Sequence, residues 1–382
     1  GDSARELAKI IGSQNAMPVF ANAGYSERSK KSESQVGKLT QLRLFTGQIS
    51  IDPSEISNKN GDPFKVYSSF KRKWEQVDTQ KIFKTDYRRL GFKAGIESSY
   101  DLHADRNSLP RCSTRAHAVR ALGAFTERNG GINRYSDLRD RVDQHTTSGM
   151  SETISLGLIG PNELFEVANS LRHSSAENIN LGSVNSWRNQ LIWREFFKHS
   201  LNHFPESANQ SLNPNLTHIE WINHKEDIKA WYEGETGYPI VDAAMRQLSE
   251  DGWIHNRLRM IVASFLVKDL LVDWRIGANW FHNKLIDYDS ALNSGNWQWV
   301  AGTGFDASPF FRVFNPVLQG RKFDPEGTYV RRWIPEIKKL PSRVIHSPWE
   351  LPRPPKNYPS PIIDHAWARK RVLSVYADAK SS

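Results

Sequence analysis

Residues 253–260 read Trp-Ile-His-Asn-Arg-Leu-Arg-Met and run straight into Ile261–Lys268. Leu258, Ile261, Val262, Phe265 and Leu266 recur at helical i, i+3/i+4 spacing, so one face of this stretch packs inward. Asn256, Arg257 and Arg259 crowd its first turns, where burial is costly unless each group is paired. Two arginines and an asparagine so placed call for a polar ligand, an anionic partner, or both. Downstream, Asp287 and Asp289 are spaced to pair with Arg259 or to accept from ribose hydroxyls. A two-carboxylate hydrolase is conceivable on that pair, but no clear partner group stands nearby.

The run Thr146-Thr-Ser-Gly-Met-Ser151 is rich in hydroxyls and suits phosphate oxygens, although ordinary N-caps have the same composition. Neither Gly-x-x-x-x-Gly-Lys-Ser/Thr nor Gly-x-Gly-x-x-Gly after a strand occurs. Of 12 histidines, only His199 and His203 stand at i, i+4. They lack the Glu of a His-Glu-x-x-His site, so they read as surface histidines and no metal is expected. Nine of the 13 tryptophans fall between Trp187 and Trp299. Core packing explains such a cluster, and so does a functional aromatic region. Trp297 and Trp299, at i, i+2, would set their rings at different angles.

The elements that must hold these groups fall into two parts. Residues 2–12 read as an amphipathic helix, 16–21 as a strand and 42–51 as a further strand pair, the tail end of an α/β unit. A polar break at 58–62 precedes a basic, aromatic segment, Pro63–Trp74, and residues 76–112 look like a connector. From Arg115 the pattern turns helical, with helices expected over 115–128, 161–172, 184–200, 225–233, 238–251, 253–272 and 276–285. From Pro341 the chain wraps or frays before a last helix near 364–378. The 382 residues suffice for two domains. A net charge of +9 favours a polyanionic partner, though simple solubilising charge explains it as well. The single cysteine, Cys112, excludes an internal disulfide framework and a cysteine zinc site. Nothing reads as a signal peptide, and the longest apolar run, Met260–Val267, is too short to span a bilayer. A soluble intracellular protein is expected, and Gly1 in place of Met suggests a processed chain or a fragment.

Four stretches in order, Trp187–Phe197, Gly234–Arg246, Trp253–Lys268 and Asn293–Phe314, resemble the photolyase/cryptochrome family, and specifically its class I cyclobutane pyrimidine dimer photolyases. The resemblance covers roughly the whole chain. It implies an α/β remnant of an antenna (Rossmann-like) domain over 1–75, lacking its opening strands. A connector over 76–114 and a mostly α-helical FAD-binding domain over 115–382 would follow. Tyr135, Arg139, Thr147, Ser148, Met150 and Ser151 fall where the family holds the FAD diphosphate. Trp187, Arg194, Asp287 and Asp289 fall around the flavin and adenosine, with Arg259 paired to Asp287, and Asn256 also falls among the cofactor residues. Asn293 sits where photolyases place an asparagine beside flavin N5. Trp297, Trp274 and Trp221 match the electron-transfer chain to the surface.

On the substrate side the resemblance places Trp193 and Trp299 around an extruded dimer, with Asn256 and Met260 where (6-4) enzymes carry two histidines. Arg257 and Arg312 would grip phosphates. Gln190 stands where dimer photolyases usually carry Glu against the dimer and the adenine, which departs from the pattern. Tyr25-Ser-Glu27 stands where a Tyr-Glu motif would help hold an antenna. With that domain incomplete, no folate or deazaflavin antenna pigment is expected. The implied activity is light-driven repair of cyclobutane pyrimidine dimers by electron transfer from photoexcited reduced FAD. A cryptochrome-like FAD photoreceptor is the alternative. Damaged DNA is the implied partner, the chain acting as a monomer in the cytoplasm, at a bacterial nucleoid or in a nucleus.

Overall fold

The computed structural model describes residues 3–12, 18–79, 114–127, 129–174, 179–309 and 311–381. Most of the expected connector, with Cys112, lies outside them, as do Ala16 and Met17 at the start of the first expected strand. The N-terminal elements are α1 (Ser3–Gly12), β1 (Val19–Asn22), α2 (Glu27–Gly37), β2 (Leu42–Phe45) and α3 (Tyr67–Trp74). Next come α4 (Arg115–Thr126), α5 (Tyr135–Leu138), α6 (Ser151–Ser155), α7 (Pro161–Arg172) and α8 (Leu181–His203). Then follow α9 (Lys225–Glu233), α10 (Pro239–Asp251), α11 (Asn256–Ser264), α12 (Trp274–Lys284) and α13 (Ser290–Ala301). The last are α14 (Pro316–Phe323), α15 (Thr328–Trp333) and α16 (His365–Ser381).

Strands β1 and β2 pair in parallel, Val19 opposite Leu42 and Asn22 opposite Phe45. Parallel neighbours need a crossover, and α2 supplies it. Its start is fixed by Ser26, whose hydroxyl accepts from the Ser29 N–H at 3.1 Å. The strand pair expected over 42–51 does not form. The strand stops at Phe45, and Ile49 and Ile51 are drawn into the core against α8 instead, almost wholly buried. Burying two isoleucines outweighs extending an edge strand with no further partner.

Two cores meet along α8 and α13. One joins the N-terminal part to the first helices: Ile49, Phe70 and Trp74 pack with Phe165, Trp187 and Phe196. The other gathers α9 to α15 around Trp231, Phe265, Trp274 and Trp297. The helices approach closely because two positions carry no side chain. A Cβ on Gly295 of α13 would stand 2.3 Å from Phe197 of α8, and one on Gly277 of α12 would stand 2.1 Å from the Trp297 ring. The helix expected over 253–272 begins only at Asn256. His255 caps it, its Nδ1 accepting the Arg257 N–H at 3.1 Å. After Ser264 it opens into a wide π turn, Phe265–Asp269.

Of wrapping and fraying, the C-terminal segment wraps back, against α10. Tyr358 donates to the buried Asp242 carboxylate, and the Ile362 N–H bonds the Thr236 carbonyl at 3.0 Å. Among the described residues no helix is long and apolar enough to cross a membrane.

Candidate functional site

The polar residues of 253–260 are paired one by one, and their partners define the site. Arg259 Nη2 donates to Asp287 Oδ2 at 2.8 Å, and its Nε donates to the Ile254 carbonyl at 2.9 Å. The other carboxylate oxygen, Asp287 Oδ1, is buried with no hydrogen-bond partner among the described residues. A buried acceptor left open next to a fixed cation is a place for a hydroxyl donor from a ligand. Arg257 turns the opposite way: Nη2 donates to Asp140 Oδ2 at 2.8 Å, and the guanidinium lies 4.6 Å above the Phe323 ring. Asn256 is exposed at the start of α11, with its amide 3.8 Å from the sulfur of half-buried Met260.

Asp140 lies two residues past α5, so the Arg257 pair ties this segment to the residues expected around a diphosphate. Tyr135 is buried against Phe125, and burial pushes its phenol up to about 12. Arg139 reaches Ser186 of α8 at 3.4 Å. Thr147 and Ser148 are half-buried. Gly149 follows with φ +65°, a left-handed turn that glycine adopts without strain. Met150 is buried, and Ser151 Oγ accepts from Trp253 Nε1 at 3.3 Å. The hydroxyl loop, α5, α8 and α11 thus form one rim, with Trp187 buried beneath it against Phe125.

Further along α8 the structure departs from expectation. Asp289 caps α13, Oδ1 accepting from the Ala291 and Leu292 N–H groups at 3.0 and 3.2 Å, while Oδ2 meets Lys198 at 2.5 Å. Burial raises the pKa of Asp289, but the Lys198 and Arg194 charges outweigh it and hold the carboxyl below its usual range. Arg194 itself turns to the N-terminal part, donating to the Gln48 carbonyl at 2.6 Å. Next to it, Glu195 is fully buried and accepts the Ser50 N–H at 2.8 Å; burial pushes its carboxyl up to about 7. His199 corrects the surface-histidine reading. It is 3 % exposed, hydrogen-bonds the Ile51 carbonyl, and burial draws its pKa down to about 4. The charged run on α8 faces the N-terminal segment at 48–52, and helical periodicity within α8 holds no trace of that contact.

Asn293 Nδ2 donates to the Ala278 carbonyl at 2.9 Å, locking its amide onto α12. Trp297 is buried edge-on to Phe281 and Trp231, ring centres 5.1 and 6.3 Å away. Trp274 is 3 % exposed, and Trp221 is half-buried beside Tyr376. Burial therefore decreases along the three tryptophans expected to carry electrons outward.

On the other side of α13, Trp299 is half-buried with Arg312 5.9 Å from its ring centre. Arg312 is exposed and forms no ion pair among the described residues. Of the two arginines expected at phosphates it alone is open, because Arg257 is held by Asp140. Trp193 and Gln190 are half-buried on α8, and Trp193 lies flat against Tyr67, ring centres 3.7 Å apart and 6° from parallel. Sequence reasoning missed Tyr67, Lys198, Glu195 and Asp140. The charged run 194–199 on α8 pointed to Lys198 and Glu195 only, and nothing local pointed to Tyr67 or Asp140.

Residues 187–378 match the model for the FAD binding domain of DNA photolyase, and residues 1–86 match DNA photolyase. The chain is 38% identical to a deoxyribodipyrimidine photo-lyase of Agrobacterium fabrum, over all of this chain and 84% of that one. The chain belongs to the photolyase/cryptochrome family. An Escherichia coli deoxyribodipyrimidine photo-lyase is 34% identical over 98% of this chain and 81% of its own. A bacterial class III photolyase of Agrobacterium tumefaciens, known by crystal structure, superposes with a TM-score of 0.84 at 37% identity, covering 100% of this chain and 83% of that one. The expected class I subgroup therefore lacks support, whereas the family is secure. FAD is the cofactor, and the residues present fit it: the open Asp287 oxygen suits a hydroxyl, and the 146–151 turn suits phosphate oxygens.

Proposed function

We propose that the protein repairs cyclobutane pyrimidine dimers in DNA when illuminated, acting as a monomer wherever DNA is held. The observation that carries this reading is 38% identity with a deoxyribodipyrimidine photo-lyase across the entire chain. Similarity to a class III structure supports that subgroup over class I. The division into an α/β part over 1–75, a connector over 76–114 and a helical FAD domain over 115–382 belongs to the same reading.

When bound, reduced FAD in its photoexcited form supplies the electron that opens the dimer ring and takes it back afterwards. The chain's own residues position and protect. Thr147, Ser148, Met150 and Ser151 with Tyr135 and Arg139 hold the diphosphate. Asp287, neutralised by Arg259, accepts from a hydroxyl, with Trp187 buried nearby, whereas Arg194 and Asp289, held by Gln48 and Lys198, brace α8 and α13 instead. Asn293 stands beside the flavin ring, and Trp297, Trp274 and Trp221 conduct electrons inward from the surface. Trp193 and Trp299 stack an extruded lesion, at about 1–3 kcal/mol per base. Extrusion is cheapest where pairing is already damaged. Asn256 and Met260 border that lesion, Arg312 neutralises phosphate, and Arg257 braces α11 against Asp140 from below. Gln190 offers a donor and an acceptor to the dimer but no charge.

The alternative, a cryptochrome-like photoreceptor, rests only on that missing charge and is not favoured by relatives named photo-lyases; binding separates the two. The purified protein is checked for FAD absorbance and titrated in the dark with a dimer-containing oligonucleotide and its undamaged counterpart. Repair predicts preference for the damaged strand. Equal affinity in an FAD-loaded protein would favour the photoreceptor.

A further inference from the structure

The basic, aromatic segment Pro63–Trp74 has no part in the repair residues named above, yet Tyr67 at the entry to α3 touches both Trp193 and the loop beyond Trp299. Tyr67 covers one face of Trp193, ring centres 3.7 Å apart and nearly parallel. Its hydroxyl donates to the Asn189 carbonyl at 3.1 Å, one helical position before Gln190. Its backbone N–H donates to Asp306 Oδ2 at 3.0 Å. Asp306 sits in the loop that leaves α13 after Trp299, and its φ of +47° is a conformation side chains other than glycine rarely adopt. Such a backbone persists where its surroundings over-determine it, and the Tyr67 contact is one of those determinants. The Ser308 N–H bonds the Trp299 carbonyl at 3.1 Å, closing the loop back onto that tryptophan. Exposed Lys65 completes the strap, its ammonium 5.5 and 5.7 Å from the ring centres of Phe305 and Phe204.

We infer that Tyr67 is a positioning residue for the lesion: with Phe196 and Phe197 at its other contacts, Tyr67 fixes the plane of Trp193 and ties it to the Trp299 wall through Asp306. The inference rests on the repair reading. It gives the N-terminal part of the chain a share in damage recognition, separate from any light-gathering role. Tyr67 acts through Trp193 and Asp306 and touches no reacting atom itself. Stacking between two rings needs the aromatic plane, and the hydroxyl is secondary, so phenylalanine should substitute for it where alanine cannot.

The test compares wild type, Tyr67→Ala, Tyr67→Phe, Trp193→Ala and the Tyr67→Ala/Trp193→Ala double variant. Dissociation constants are measured in the dark for a dimer-containing oligonucleotide and its undamaged counterpart. Tyr67→Ala should lose about tenfold of the preference for damage, a stacking-sized effect. Tyr67→Phe should restore it, and Tyr67→Ala should lower the preference no further once Trp193 is gone. FAD content and light-driven FAD reduction should stay at wild-type values in Tyr67→Ala, which a general loss of packing would not allow. If Tyr67→Ala is not recovered with FAD, Tyr67→Leu carries the same comparison. Equal loss on damaged and undamaged strands, failure of Tyr67→Phe to restore preference, or additive effects with Trp193→Ala would overturn the inference alone. No preference in the wild type would overturn the repair reading, and this inference with it.

Discussion

Trp297 and Trp299 are two positions apart on α13 and live in different surroundings. Trp297 is sealed between Phe281 and Trp231, with the missing side chain of Gly277 making room for it. Trp299 is half open, beside an exposed arginine and a loop strapped to the N-terminal part. One helix thus serves as a partition, with a buried aromatic cluster on one side and a half-open, cationic surface on the other. A chain of redox groups needs fixed, protected neighbours, whereas a surface that receives DNA needs open stacking faces and free charge. The difference lies in the neighbours, since the two side chains are chemically identical.

Variants on each side should therefore fail in different ways. The largest effect is expected for Trp297→Phe, which should stop light-driven reduction of oxidised FAD, followed by absorbance during illumination. Wild-type reduction kinetics in that variant would erase the buried side of the comparison. Asp287→Ala comes next. It leaves half-buried Arg259 without its partner and should show as a lowered melting temperature and lost FAD. Retained FAD with unchanged melting would mean the pair is incidental. Trp299→Ala should cost about 1–3 kcal/mol of binding to damaged DNA and little on undamaged DNA. Smallest is Arg312→Ala, which should weaken binding to any DNA and reduce the salt slope by roughly one unit. An unchanged slope would place the phosphate contacts elsewhere.

Much of this was legible in the residues. The spacing offered Asp287 or Asp289 as the partner of Arg259, the family resemblance singled out Asp287, and that pair is present at 2.8 Å. Most helices were legible too, because apolar periodicity survives packing. Where periodicity is weak, elements were missed: α2 is a run of charged and hydroxyl residues, and α13 mixes Asn, Ser and Gly with its tryptophans. The site contacts that escaped join distant parts of the chain. Arg257 to Asp140, Arg194 to Gln48 and Tyr67 to Trp193 all cross between elements. No spacing rule within one helix encodes them. His199 shows the cost of judging exposure locally, since a polar residue at i, i+4 to another histidine is buried by a segment some 150 residues away.

The central claim is repair, and light is its most direct probe. Ultraviolet-treated oligo(dT) is mixed with the FAD-loaded, reduced protein, and intact dimers are counted after equal times in blue light and in darkness. The account predicts that dimers disappear in proportion to the light delivered and persist in the dark. Dimers that survive illumination, in a protein that holds FAD and binds the damaged strand, would contradict it.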